Sequence, residues 1–577
     1  MTTPRTGGEL LLGCLEAQGV DRVFCVPGES YLPVLDALHD SHVETVVARH
    51  EGGAAMMAEA DGKLTGRPGV ALVTRGPGAT NAASGVHVAR QDSTPMVLLV
   101  GQIGRDMGGR EAFQEVDYRQ TFGSLAKWVD QIDRVERIPE VISHAWHVAL
   151  GGRPGPVVVA LPEDMLRERT NVGVGEWVGA TESAPTQAQI DELEDRLGSA
   201  KSPLVIVGGS RWNQQATADL SRWARRWQLP IAASFRRQSL VDHADAHYVG
   251  DVGLGINPAL AQRIANSDLL ILLGCRFSEN PSQGFKLLGI PETTNTLVHV
   301  HPGPEELGRI YRPDLAICAS PGAFLGAALV RDPTTRAAIR AEQASIEKAS
   351  AEQAHPPATA ARVEAARADY LAWSANPART PGRLQMGEVM QCLNGCLPDD
   401  ALITNGAGNY AGWLHRYYRF GGWGTQLAPI SGSMGYGLPA AIAAKLRAPN
   451  RSVVCIAGDG CFQMTGQELG TAVQARANVI VLVIDNSMYG TIRMHQEGNY
   501  PGRVSATTLV NPDFVGLANA YGAYAEQVLD ADELPAALDR AQSSGLPALL
   551  HLPLDPEAIS VGATLSEIRD SALKRKV

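Results

Sequence analysis

No apolar run in this chain of 577 residues reaches the ~18 residues that a membrane-spanning helix requires. The opening stretch, MTTPRTGGELLLGCLEAQG, has neither a long apolar core nor a small-residue cleavage site, so no secretory signal is expected. Positive charge is in deficit: 50 Lys and Arg stand against 61 Asp and Glu, a net charge of −11. Sequence-independent nucleic-acid binding needs a basic face and is therefore not expected. Cysteine is sparse. The eight, Cys14, Cys25, Cys275, Cys318, Cys392, Cys396, Cys455 and Cys461, are scattered, and only Cys392 and Cys396 stand close, at a helical i,i+4 spacing without histidines. That favours reduced packing residues in a cytoplasmic protein over a disulfide framework or a zinc site. The dinucleotide fingerprint G-x-G-x-x-G is missing where Gly208-Gly209-Ser210 follows an apolar run. With 45% hydrophobic and 19% charged residues, the composition is that of a globular protein, and the length suggests about three or four domains.

One stretch organises the rest, VVCIAGDGCFQMTGQELGTAVQARANVIVLVIDNSMYG, from Val453 to Gly490. Val453–Ala457 is short, β-branched and bounded by glycine, which predicts a buried strand. Gly458-Asp459-Gly460 predicts a tight turn, Gln463–Ala475 has helical spacing, and Val479–Ile484 predicts a second buried strand delivering Asp485 and Asn486. A carboxylate and an amide oxygen at neighbouring strand ends are hard ligands suited to Mg²⁺, which completes its octahedron with phosphate oxygens. An ordinary βαβ crossover explains the apolar pattern but not these ligand types at both strand ends.

Strand and helix signals alternate through most of the chain, which predicts an α/β protein of three doubly wound parallel-sheet domains with ligands at the strand C-terminal ends. The expected divisions are residues 1–185, 186–345, a linker at 346–385 where Ala, charge and Pro accumulate, and 386–577. Glu51 falls at a strand end before Gly52-Gly53 and a small-residue helix. Alone, it reads as a first-turn acid favoured by the helix dipole.

RHEGGAAMMAEADGKLTG followed by RGPGATN resembles the pyrimidine-binding domain of acetohydroxyacid synthase and its thiamine diphosphate (ThDP) relatives. GRPGPV at 152–157, HVHPGPEELG in the central part, SGSMGYGLP at 431–439 and the GDG…N spacing are similar to the same family. The resemblance spans nearly the whole chain. It implies ThDP and Mg²⁺ as cofactors, with Asp459, Asn486 and the carbonyl of Met488 as metal ligands. It implies that Glu51 hydrogen-bonds the aminopyrimidine and drives thiazolium deprotonation, a role that calls for a buried carboxylate of raised pKa. Further ThDP contacts are implied at Pro27, Gly28, Thr74, Gly78 and Asn81 in the first domain. In the last, they fall at Gly408, Asn409, Ser433, Met434, Gly458, Gly460 and Cys461, then at Tyr489, Gly490 and Thr491. Met434 would wedge the cofactor into its bent shape. Some members hold FAD in the central domain and others do not, so the resemblance leaves FAD open. It also implies a homodimer or homotetramer with sites shared between subunits.

Departures from the family bear on the reaction. His495 stands where synthases carry a tryptophan, Tyr410 where they carry a histidine, and Glu29 where they carry a glycine. Gln114, in EAFQEVD, matches a family glutamine that faces the reacting carbon; a surface loop glutamine is the plainer reading. Glu29 is either a proton shuttle or a first-turn helix acid, and Lys127 either faces substrate or is solvated. Arg493 could pair with a substrate carboxylate. Together these imply a carboligase or decarboxylase of a 2-oxo acid, acetolactate synthase-like, with Glu51, Gln114, Glu29 and His495 at the reacting face. The alternative is a C–C lyase of the 2-hydroxyacyl-CoA or benzaldehyde type, and a non-catalytic ThDP-fold subunit is a third reading.

Overall fold

The computed structural model describes residues 4–330 and 357–576. The apolar runs form three six-stranded sheets with helices in the crossovers. The first contains β1 (Arg22–Cys25), β2 (Glu44–Val47), β3 (Gly69–Val73), β4 (Met96–Gln102), β5 (Trp128–Gln131) and β6 (Pro156–Pro162). Its spatial order is 2-1-3-4-6-5, and every pairing is parallel. The second contains β7 (Pro203–Val207), β8 (Ile231–Ser234), β9 (Tyr248–Val252), β10 (Leu269–Leu273), β11 (Thr296–His301) and β12 (Leu315–Cys318), in the order 9-8-7-10-11-12. The third contains β13 (Leu402–Asn405), the two-residue edge β14 (Gln426–Leu427), β15 (Val453–Gly458), β16 (Ile480–Asp485), β17 (Tyr524–Gln527) and β18 (Ala548–Pro553), in the order 14-13-15-16-18-17. Strands covered on both faces read as continuous Val, Ile and Leu runs because no side of them meets water. β4, β6 and β15 are buried at every position.

By contacts, the chain forms two compact units. One comprises Met1–Thr181, Pro377–Tyr418 and Leu427–Val577, and the other Glu182–Asn376 and Arg419–Gln426. The expected linker at 346–385 lies partly outside the described residues; Pro357–Ala375 is helical. Among the described residues, no helix is long and apolar enough to cross a membrane, and all eight cysteines are free thiols.

Within the first unit, the small residues of the helix Glu51–Thr65 let it lie close against the helix Gly437–Arg447, so the first and third sheets share one core. A buried polar cluster crosses this seam. Glu59 accepts from Tyr436 Oη at 2.6 Å and from Thr94 Oγ1 at 2.6 Å, and Lys63 pairs with both Glu59 and Asp92. Burial pushes the Glu59 carboxyl up, and the Lys63 ammonium works against that shift. A second tie joins Glu468 to the β2 end, where its carboxylate accepts the Arg49 backbone N–H at 3.1 Å. Removing one partner from such a buried network leaves an uncompensated charge, so the network fixes the helix carrying Glu51 against the third sheet.

Candidate functional site

The register pairs Gly458 with Ile484, so the next residues, Asp459 and Asp485, leave β15 and β16 side by side. Asn511 joins them: its Nδ2 donates to Asp459 Oδ2 at 2.7 Å and to Asp485 Oδ1 at 2.7 Å. His551 on β18 reaches Asp485 Oδ2 at 3.0 Å. Burial pushes Asp459 up to about 6, with the Asn511 amide opposing and Asp485 adding to the rise. Burial would also raise Asp485, but His551, the Ser487 N–H and Asn511 outweigh it and hold the carboxyl at about 2.

The expected tight turn at Gly458-Asp459-Gly460 is a direct strand-to-helix passage. Gly458 ends the strand, and Asp459–Gln463 is already helical. Gly460 is required by proximity, since a Cβ there would stand 2.7 Å from the Tyr489 ring. The single helix expected over Gln463–Ala475 is broken into Asp459–Gln463 and Glu468–Gln474. Between them Thr465 Oγ1 donates to Gly435 O at 2.6 Å, which ties the break to the glycine loop carrying Ser433 and the half-buried Met434.

Asn486 follows Asp485, half-buried, and among the described residues its side chain has no hydrogen-bond partner. Met488 is buried and bridges Thr508 just before the helix Gly490–Asn499. At its start, Thr491 Oγ1 donates to Asn409 Oδ1 at 2.9 Å, bringing the loop after β13, with Gly408 and Asn409, to Gly490 and Thr491. Tyr410, in the family's histidine position, is buried and donates to Cys461 Sγ at 3.4 Å. Arg493 donates to Thr507 Oγ1 at 2.7 Å and Thr508 Oγ1 at 2.9 Å, so neutral oxygens and no carboxylate hold it. His495 is exposed on the same helix.

On the first sheet, Glu51 opens its helix behind an N-cap made by His50 Nδ1, which accepts from Gly52 N. Glu51 is half-buried, its Oε2 accepts from Asn81 Nδ2 at 2.9 Å, and a Cβ on Gly78 would lie 3.2 Å from its Oε1. Pro27 and Gly28 follow β1, and Thr74 follows β3 with Oγ1 2.8 Å from Ser30 Oγ. Glu29 opens a short 3₁₀ turn, Glu29–Tyr31, and pairs with the buried Arg75 at 2.8 Å. Gln114 sits in the loop after β4 with φ +64°. Lys127 is half-buried. Its Nζ donates to the carbonyls of Val148 and Gly151 at 2.6 Å each, satisfying the C-terminal end of the helix Ile138–Leu150.

Four side chains escaped the sequence reading: Asn511, His551, Arg75 and Glu163. Asn511 and His551 lie 26 and 66 residues from Asp485, and no spacing rule connects them. Arg75 stood inside the quoted RGPGATN and carried a signal, an arginine beside glycine at a strand end. Among the described residues, no group of three or more His, Cys, Asp or Glu is placed to hold a metal. The donors at β15 and β16 are instead a carboxylate and an unpartnered side-chain amide, a set suited to a hard cation that draws its remaining ligands from phosphate or water.

Residues 5–121, 190–328 and 406–552 match the models for the thiamine pyrophosphate enzyme N-terminal TPP binding domain, central domain and C-terminal TPP binding domain. The chain is 30% identical over 554 residues to the acetolactate synthase isozyme 2 large subunit of Escherichia coli (strain K12), covering 95% of each. It is 31% identical over 565 residues to an acetolactate synthase large subunit of Parasynechococcus marenigrum (strain WH8102), covering 95% of this chain and 87% of the relative. Against the acetolactate synthase of Bacillus subtilis (strain 168), identity is 30% over 558 residues, 95% of this chain and 93% of the relative. The chain therefore belongs to the thiamine pyrophosphate enzymes and, within them, is acetolactate synthase-like.

Proposed function

We propose that the protein is a ThDP- and Mg²⁺-dependent carboligase that decarboxylates a 2-oxo acid and transfers the acyl unit to a second carbonyl compound. The observation that carries this is the pair of hard oxygen donors, Asp459 and Asn486, at adjacent strand ends, in the compact unit that also holds the Glu51 carboxylate. The relatives named acetolactate synthase support the choice of a 2-oxo acid. When bound, ThDP supplies a carbon nucleophile and an electron sink for the departing CO₂.

The chain's own residues do the rest. Asp459, Asn486 and the carbonyl of Met488 hold Mg²⁺. Asn409 and Thr491 orient the diphosphate end, Met434 packs against the ring system, and Glu51 holds and moves the proton at the aminopyrimidine. Gln114 lines the reacting face, Arg493 takes a substrate carboxylate with its remaining donors, and His495 faces the acceptor. Subunits assemble as a homodimer or homotetramer sharing these half-sites.

Incubating the protein with ThDP, Mg²⁺ and pyruvate, while following CO₂ and coupled product, tests this reading. CO₂ with acetolactate is the expected result. Tight ThDP binding with no turnover of any 2-oxo acid would overturn it in favour of a C–C lyase. Flavin absorbance of the purified protein decides whether FAD accompanies ThDP.

A further inference from the structure

Arg75 is buried, yet three of its nitrogens find oxygen partners on three separate segments. Nη2 donates to Glu29 Oε1 at 2.8 Å, Nη1 to Glu163 Oε2 at 3.1 Å, and Nε to the Phe113 carbonyl at 3.2 Å. The loop it grips is otherwise held by Gln102 Nε2 on the Val116 carbonyl at 3.0 Å and by Glu115, which accepts the Gly109 and Ala112 N–H groups. The next residue after Phe113 is Gln114, whose φ of +64° is strained for a non-glycine and persists only where neighbours impose it. Gly76 allows the close approach: at φ +60°, a Cβ there would stand 2.8 Å from Gln114 Cβ.

We propose that Arg75 is the positioning residue of the reacting face, holding the Phe113–Gln114 loop in place and keeping Glu29 engaged in an ion pair, so that turnover ends in a C–C bond. This rests on the carboligase reading. Both outcomes of 2-oxo acid decarboxylation consume one proton. In aldehyde release it goes to the donor carbon; in coupling it goes to the acceptor's carbonyl oxygen as the new C–C bond forms. An acid beside the donor carbon would promote release. Glu29 is the candidate for that acid; in the ion pair it is a carboxylate with no proton to give, so relaying one would require it to leave a guanidinium that is buried and charge-assisted on two sides and to take up a proton from solvent. Arg75 thereby keeps Glu29 from relaying a proton to the donor carbon while Gln114 stays aligned for coupling.

The test compares Arg75→Met, Arg75→Lys and Arg75→Met with Glu29→Gln, all as full chains with ThDP and Mg²⁺. In Arg75→Met, the share of 2-oxo acid ending as free aldehyde rises severalfold, and backbone amide exchange across residues 109–116 quickens about tenfold as the loop loses its tether. Arg75→Lys restores most of the coupling, and adding Glu29→Gln to Arg75→Met removes the aldehyde gain while leaving the exchange fast. A lower rate with an unchanged product ratio overturns the proposal, as does unchanged exchange across the loop. If the wild type turned over no 2-oxo acid, the carboligase reading would fall, and the exchange measurement alone would still decide the role of Arg75 in the loop.

Discussion

The first and third sheets are the same scaffold used twice. Numbered within each sheet, their strands run 2-1-3-4-6-5 in both, so the crossovers part to opposite sides between strands one and three. Ligands in open α/β sheets sit at such switch points. In the first sheet, that point gathers Glu29 after strand one and Arg75 after strand three, with Glu163 alongside. In the third it gathers Asn409 after strand one and Asp459 after strand three, with Asp485 and Asn486 after strand four. The difference lies in how acid is compensated. A guanidinium answers the carboxylates of the first mouth, whereas an amide and an imidazole answer those of the third. Glu29 and Glu163 of the first mouth share one guanidinium. The third has no arginine or lysine on its two aspartates, a setting suited to a hard divalent cation.

Two substitutions separate these roles most sharply. Glu51→Gln removes the proposed proton carrier without touching the third mouth, so ThDP binding measured by calorimetry should persist while turnover falls about 10²–10⁴-fold. Wild-type turnover in this variant would remove Glu51 from the mechanism. Asp459→Ala should do the reverse, weakening Mg²⁺-dependent ThDP binding by at least about 100-fold, beyond what loss of an outer partner costs. Unchanged affinity would place the metal elsewhere.

A subtler break concerns Asn511, whose Nδ2 is shared by two carboxylates that would otherwise repel. Asn511→Ala should lower Mg²⁺ affinity about tenfold through loss of orientation at Asp459, with little change in the first mouth. An affinity equal to wild type would make Asn511 a bystander.

These residues also mark what the sequence could convey. Strand and helix alternation, and the placing of Asp459 and Asn486 at neighbouring strand ends, were legible because they depend on local period and on spacing within one crossover. Asn511 and His551 were not, because only the tertiary fold brings β16, β18 and the loop after the helix Gly490–Asn499 to one point. The break at Met464–Gln467 was hidden for a similar reason. The residues keep helical spacing, but Thr465 spends its hydroxyl on Gly435 from a distant loop. The partners of Lys127 were hidden because they are helix-end carbonyls rather than side chains. Arg75 looked like loop punctuation until Glu29, Glu163 and Phe113 closed around it.

The smallest expected effect separates the two aspartates of the third mouth by pH. Asp459 is raised to about 6, so the folded, unloaded protein binds a proton that the unfolded chain releases between about pH 4 and 6. Its contribution to stability is complete below about pH 4 and is lost as pH rises through about 6. Asp485, held at about 2, has the opposite sign: its contribution is present above about pH 4 and is lost as pH falls towards 2. The unloaded protein should therefore show an Asp459-dependent decline in Tm from pH 4 to 6, which Asp459→Asn flattens. As proposed, Asp459 holds Mg²⁺ as the ionised carboxylate, so stabilisation by Mg²⁺ and ThDP should grow over the same interval and reverse the slope. The first mouth, where Glu29 and Glu163 both bond Arg75, should add no such reversal. A wild-type Tm profile that Asp459→Asn leaves unchanged, with and without ligand, would show that the burial of Asp459 is not what distinguishes the two mouths.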